Sequence, residues 1–91
     1  MPHEIYVQIH RDVASDFVRL SDKAQDQVRA LLLTLQVNPY DPEIQRHSFI
    51  HDELFEYPLD GGYSIFWSVH HFDNSIMRMD IFVSSIERRR H

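Results

Sequence analysis

The sequence predicts an α+β domain, an antiparallel sheet of about four strands packed on an N-terminal helical hairpin in the order β-α-α-β-β-β. Three observations carry that prediction. Apolar residues alternate strictly from Ile5 to Ile9, a helical stripe runs from Ala24 to Leu35, and the chain beyond Leu54 reads as strands divided by turn signals.

Glu4 to His10 places Ile5, Val7 and Ile9 on one face and Tyr6, Gln8 and His10 on the other, the pattern of a half-buried strand. Val13, Phe17 and Leu20 then recur at helical spacing between Arg11 and Leu20. Ser21 and Asp22 break this helix and start another, and Asp22 with Gln25 fits a capping box. Ala24, Val28, Leu31, Leu32 and Leu35 form an amphipathic stripe, so two helices in antiparallel contact are expected. Pro39 and Pro42 end the second helix.

Glu43 to Asp52 reads as a polar connection with room for a short helical turn. Leu54 to Leu59 is a strand that Pro58 either confines to an edge or stops. Asp60-Gly61-Gly62 signals a tight turn. Tyr63 to His71 alternates, with Tyr63, Ile65, Trp67 and Val69 on one face and Ser64, Phe66, Ser68 and His70 on the other. Asp73-Asn74 makes the next turn, and Ile76 to Ser84 forms the last strand, with Met77, Met79, Ile81 and Val83 inward. The first strand can pair beside the last, which allows a parallel element in the sheet. The face away from the helices then carries Tyr6, Gln8, His10, Ser64, Ser68, Arg78 and Asp80 as the working surface.

Ninety-one residues, 43% of them hydrophobic and 12% aromatic, are ordinary globular composition for one domain, 1–91. The only two glycines are adjacent, which excludes a phosphate-cradling glycine loop, and the absence of cysteine excludes disulfides and thiolate chemistry. The opening residues lack a signal-peptide pattern and no stretch is apolar enough to span a bilayer, so a cytoplasmic protein with no membrane contact is expected. A net charge of −5 is the wrong sign for broad electrostatic binding of nucleic acid. A local patch acts only within a Debye length of about 8 Å at physiological salt. Arg88, Arg89 and Arg90 form such a patch, suited to phosphates or carboxylates.

Other candidates read more plainly. His47 and His51 stand four apart, but no third ligand is identifiable, so solvent histidines and no metal or cofactor are expected. His70 and His71 are adjacent on a strand and point to opposite faces. Arg78 and Asp80 share a face and read as an ion pair, with a substrate-facing or partner-facing role as the sharper reading. His10 is the best-placed general base on the polar face. Phe66 and Phe82 share that face, and an apolar pair there suggests a partner surface.

Several segments together resemble a known family. Phe17 to Gln25 is similar to the helix–turn–helix segment, and Leu31 to Pro39 to the helix end, of the RelE/ParE superfamily of toxins from bacterial and archaeal toxin–antitoxin modules. Asp60 to Trp67 resembles its turn and strand, and Ile81 to Arg89 its final strand running into arginine. The resemblance covers nearly the whole chain. It implies a toxin neutralised by a cognate antitoxin that folds on binding. In the RelE branch it implies ribosome-dependent mRNA cleavage, in which a ribose 2′-hydroxyl attacks the adjacent phosphate. In the ParE branch it implies inhibition of DNA gyrase without chemistry. A third reading is a degenerate member that acts only through protein contacts, which the net charge of −5 and Ser64 in place of an arginine favour.

Carried over by position, the arginine following the last strand is Arg88, and the tyrosine or histidine beyond it has at best His91 as a substitute. The arginine after the turn tyrosine falls on Ser64, and the lysine positions fall near Glu56 and Pro58. The catalytic candidates are therefore Arg88, His91 and His10. Arg78, Arg89, Arg90, Phe66 and Ser64 are the candidates for partner or RNA contact. The sequence leaves the oligomeric state open.

Overall fold

A computed structural model describes residues 4–73 and 78–89. In chain order it contains β1 (Glu4–Ile9), α1 (Arg11–Phe17), α2 (Asp22–Val37), α3 (Pro42–His47), β2 (Phe49–His51), β3 (Leu54–Pro58), β4 (Tyr63–Asp73) and β5 (Arg78–Arg88). The strands form one mixed sheet in the order β1-β5-β4-β3-β2. β1 runs parallel to β5, and every other neighbouring pair is antiparallel. A parallel neighbour needs a long crossover, and α1 and α2 lie within it, α1 against β5 and α2 against β1.

Among the described residues the sheet therefore has five strands rather than about four, and the helices number three. The connection expected over Glu43 to Asp52 holds both α3 and β2. Asp41 caps α3 by accepting the Glu43 N–H at 3.0 Å, and Pro42 opens the helix where its missing N–H costs nothing. Phe49-Ile50-His51 is too short to announce itself by alternation. It becomes a strand because Asp52 takes a positive φ of 57° and turns the chain back on β3. β3 stops at Pro58 and is an inner strand, since β2 covers its outer side.

The start of α2 differs by one residue from the capping box expected at Asp22. Ser21 is the N-cap, its Oγ accepting the Ala24 N–H at 3.2 Å. The Gln25 amide instead turns back to donate to the Phe17 and Leu20 carbonyls at 3.1 and 3.4 Å. Those bonds satisfy groups left open where α1 ends, so α1 stops at Phe17 rather than Leu20.

Ala24, Val28, Leu31 and Leu35 of α2 are buried, together with Ile65, Trp67, Ile81, Val83 and Ile86 of the sheet. Trp67 is fully buried and its ring stacks on Phe55 of β3, centroids 5.5 Å apart. Ile5, Val7 and Val69 pack against this core as expected, whereas Ile9 is 47% exposed at the end of the edge strand β1. Met77, Asn74, Arg90 and His91 lie outside the described residues.

A break in the pairing of β4 with β5 decides what reaches which face. Phe66 pairs with Ser85 but Trp67 pairs with Val83, so Ser84 is an extra residue, a β-bulge, and its Oγ donates to the Phe66 carbonyl. Beyond the bulge the alternation of β5 is inverted. Ile86 joins Ile65 in the core, Arg88 is placed beside Tyr63, and Glu87 opposite Ser64.

Candidate functional site

On the face away from the helices, a cleft of about 430 Å³ crosses the sheet near the C-terminal end of β5. Phe49, His51, Glu56, Phe66, Glu87, Arg88 and Arg89 line it. Register explains the grouping. Phe49 pairs with Glu56, Glu56 with Phe66, and Phe66 with Ser85, so one row across four strands sets a carboxylate between two aromatic rings. At a strand spacing of about 4.8 Å, the two phenylalanines stand roughly 10 Å apart.

The Glu56 side chain is only 16% exposed, and its Oε1 lies 2.8 Å from His51 Nε2. Burial works against the charged carboxylate, but three neighbours outweigh it and hold its pKa below the usual glutamate range. They are the Ser64 hydroxyl, the His51 imidazole and the Arg89 guanidinium. Ser64 is fully buried, close to this carboxylate though outside ordinary hydrogen-bond geometry. The Glu87 carboxylate accepts the Ser85 hydroxyl at 3.0 Å, and Glu87 is exposed.

Arg88 and Arg89 are both engaged by the protein itself. Arg89 Nη1 donates to the carbonyls of Leu59 (3.0 Å) and Tyr63, and the Arg89 N–H donates to the Gly62 carbonyl at 2.8 Å. Arg89 thereby ties the end of β5 to the β3–β4 turn, where Gly61 and Gly62 hold φ of 84° and 85°. Arg88 Nη2 donates to the Tyr63 hydroxyl at 3.2 Å, and its guanidinium lies 5.4 Å from the Tyr63 ring centre. That hydroxyl raises the pKa of an already permanently charged group.

Of the described residues proposed from sequence, Arg88, Arg89 and Phe66 line the cleft, and Ser64, His10 and Arg78 do not. Ser64 lies beneath it, fully buried, so it offers a partner no surface and the contact expected there is not available. His10 lies in a separate cavity with Gln8, Ile9, Phe82, Val83 and Ser84. Its Nδ1 accepts the Asp12 N–H at 3.1 Å as the N-cap of α1, so the general-base candidate has a structural task and stands apart from the cleft. Arg78 is at the opposite end of β5, roughly 30 Å from Arg88 by strand rise. There it pairs with the buried Asp80 at 3.2 Å and lies 4.4 Å from the Tyr6 ring centre, which is the ion-pair reading. Arg90 and His91 lie outside the described residues.

Sequence reasoning missed Phe49, His51, Glu56 and Glu87 as site residues. The signal for three of them was the β2 hairpin. Once Phe49 is paired with Glu56, a period of two brings His51 and Phe66 to the same face.

No protein-family model matches the chain, and no curated protein matches it. Among solved structures the chain is similar to the toxin–antitoxin complex RelBE2 from Mycobacterium tuberculosis, at 14% identity and a TM-score of 0.43. The alignment covers 98% of this chain and 100% of that one. Likeness at that level leaves the functional reading to the residues of the cleft. Among the described residues no group of three or more histidine, aspartate or glutamate side chains could hold a metal ion, and no helix is long and apolar enough to cross a membrane.

Proposed function

We propose that this protein is the toxin component of a toxin–antitoxin module, of RelE/ParE type, working in the cytoplasm and held in check by an antitoxin that occupies the cleft. The observation that carries this reading is the pairing of Tyr63 with Arg88. It brings the segments Asp60 to Trp67 and Ile81 to Arg89, the two that most resemble the family's turn and final strands, side by side around one cleft. Expression from an inducible promoter should arrest growth, and the product of the adjacent open reading frame should relieve the arrest and copurify with the protein. Normal growth together with no copurification contradicts the proposal.

A binding mode of inhibition, such as the resemblance implies for gyrase, is favoured over mRNA cleavage. Phosphate transfer needs cationic groups aimed at the developing charge. Here Arg88 and Arg89 are engaged by Tyr63 and backbone carbonyls, while Glu56 and Glu87 border the cleft. Purified protein should leave ribosome-bound mRNA intact and inhibit gyrase supercoiling at micromolar concentration. Cleavage that is abolished by Arg88→Ala reverses this preference.

A further inference from the structure

We infer that the cleft is a receptor for one basic side chain, a lysine or arginine of the partner polypeptide, with its stem between Phe49 and Phe66 and its charged head on Glu56 and Glu87. The inference rests on the reading of the cleft as a partner site and adds the chemistry of what enters it.

Hydrogen-bonding capacity decides the sign of the ligand. Among the described residues, the charged and titratable groups around the cleft are His51 from β2, Glu56 from β3, and Glu87, Arg88 and Arg89 from β5 and its end. The two guanidiniums already have acceptors in Leu59, Tyr63 and the Tyr63 ring. The carboxylates are less fully matched. Among the described residues Glu87 accepts from the Ser85 hydroxyl, and Glu56 is paired with the imidazole of His51, whose side chain is 59% exposed, with Arg89 acting on it through space. Formal charge around the cleft is balanced, two guanidiniums against two carboxylates, so the free donors and acceptors decide. An entering anion meets guanidiniums that already donate within the protein, whereas an entering cationic donor meets carboxylate oxygens with acceptor capacity to spare.

Shape decides which cation. Glu56 sits at the floor of the row between Phe49, which is 57% exposed, and Phe66, which is partly buried. Lysine and arginine carry an apolar stem that packs on hydrophobic surface and a charged tip that seeks a carboxylate. Their head groups are also attracted to aromatic faces. A short apolar residue cannot satisfy the carboxylate, and a bare ion leaves both rings uncovered. The fully buried Ser64 hydroxyl, without a conventional partner beside Glu56, keeps this end of the cleft polar.

The test is calorimetric titration of the full chain with short synthetic peptides that differ at one central residue flanked by leucines. That residue is arginine, its neutral isostere citrulline, or glutamate; a single-stranded RNA oligonucleotide is the fourth probe. The arginine peptide should bind at least about tenfold tighter than the citrulline peptide. Glu87→Gln and Glu56→Gln should each remove most of that preference. Equal binding of the arginine and citrulline peptides by the unaltered protein overturns the inference, and so does no binding of either. Tight RNA binding lost on Arg88→Ala overturns it also, and gives the cleft to nucleic acid. If the adjacent gene product still binds Glu56→Gln and Glu87→Gln unchanged, the toxin reading stands while this inference falls.

Discussion

His51 Nε2 lies 2.8 Å from Glu56 Oε1, joining the short edge strand β2 to its neighbour across the cleft floor. The carboxylate end of this pair is largely buried and the imidazole end largely exposed. Glu56 is held below its ordinary pKa in the folded protein. A lowered folded-state value contributes stability above the unfolded pKa, and that contribution is lost as pH falls through the folded value. Stability should therefore decline as pH drops below about 4.3, the ordinary glutamate value. Urea midpoints measured down this range should fall less steeply for Glu56→Gln. An unchanged acid limb in that variant removes Glu56 from the explanation.

Arg89 and Arg88 are neighbours with different tasks. Arg89 is partly buried and satisfies two carbonyls of the β3–β4 turn, whereas Arg88 is exposed and donates to the Tyr63 hydroxyl. Charge-assisted hydrogen bonds of the Arg89 kind are worth about 1.5–3 kcal/mol. Arg89→Ala should lose stability on that scale by chemical denaturation, and Arg88→Ala much less. Equal losses contradict the division.

Gly62 holds a φ of 85°, and a Cβ added there meets nothing within 4 Å. Space is therefore no obstacle, and the direct cost of Gly62→Ala is backbone strain, about 1–2 kcal/mol. Thermal unfolding should show that loss, with the Arg89 N–H bond to the Gly62 carbonyl as the second casualty.

Trp67 is fully buried, but its Nε1–H has no hydrogen-bond partner among the described residues. Trp67→Ala should cost about 3–5 kcal/mol through lost contact and a cavity. Trp67→Phe should cost clearly less, because it removes the unsatisfied donor and keeps an aromatic ring against Phe55. Equal losses in the two variants mean the indole N–H is satisfied.

Most of the fold was legible because period was legible. Ile5 to Ile9, Ala24 to Leu35 and Tyr63 to Val69 declare their faces by spacing, and the parallel pairing of β1 with β5 was foreseen as possible. β2 was not legible, since three residues carry no period and Asp52 had to adopt a positive φ to form the hairpin. Half of the cleft went with it. Arg88 illustrates the other limit. Strict alternation from Val83 sends Arg88 to the face of Phe82, but the bulge at Ser84 inverts the count, so Arg88 lies beside Tyr63 at the edge of the cleft. A bulge is a matter of local backbone pairing, and a serine pair announces nothing of it.

The central claim, that the row Phe49–Glu56–Phe66 is where a partner protein binds, is tested most directly by amide chemical-shift mapping with the product of the adjacent open reading frame. The largest shifts should fall on residues 49–56, 64–68 and 85–89, with α2 little changed. Shifts concentrated on the outer face of α2, around Leu33 and Val37, with the cleft silent, contradict it.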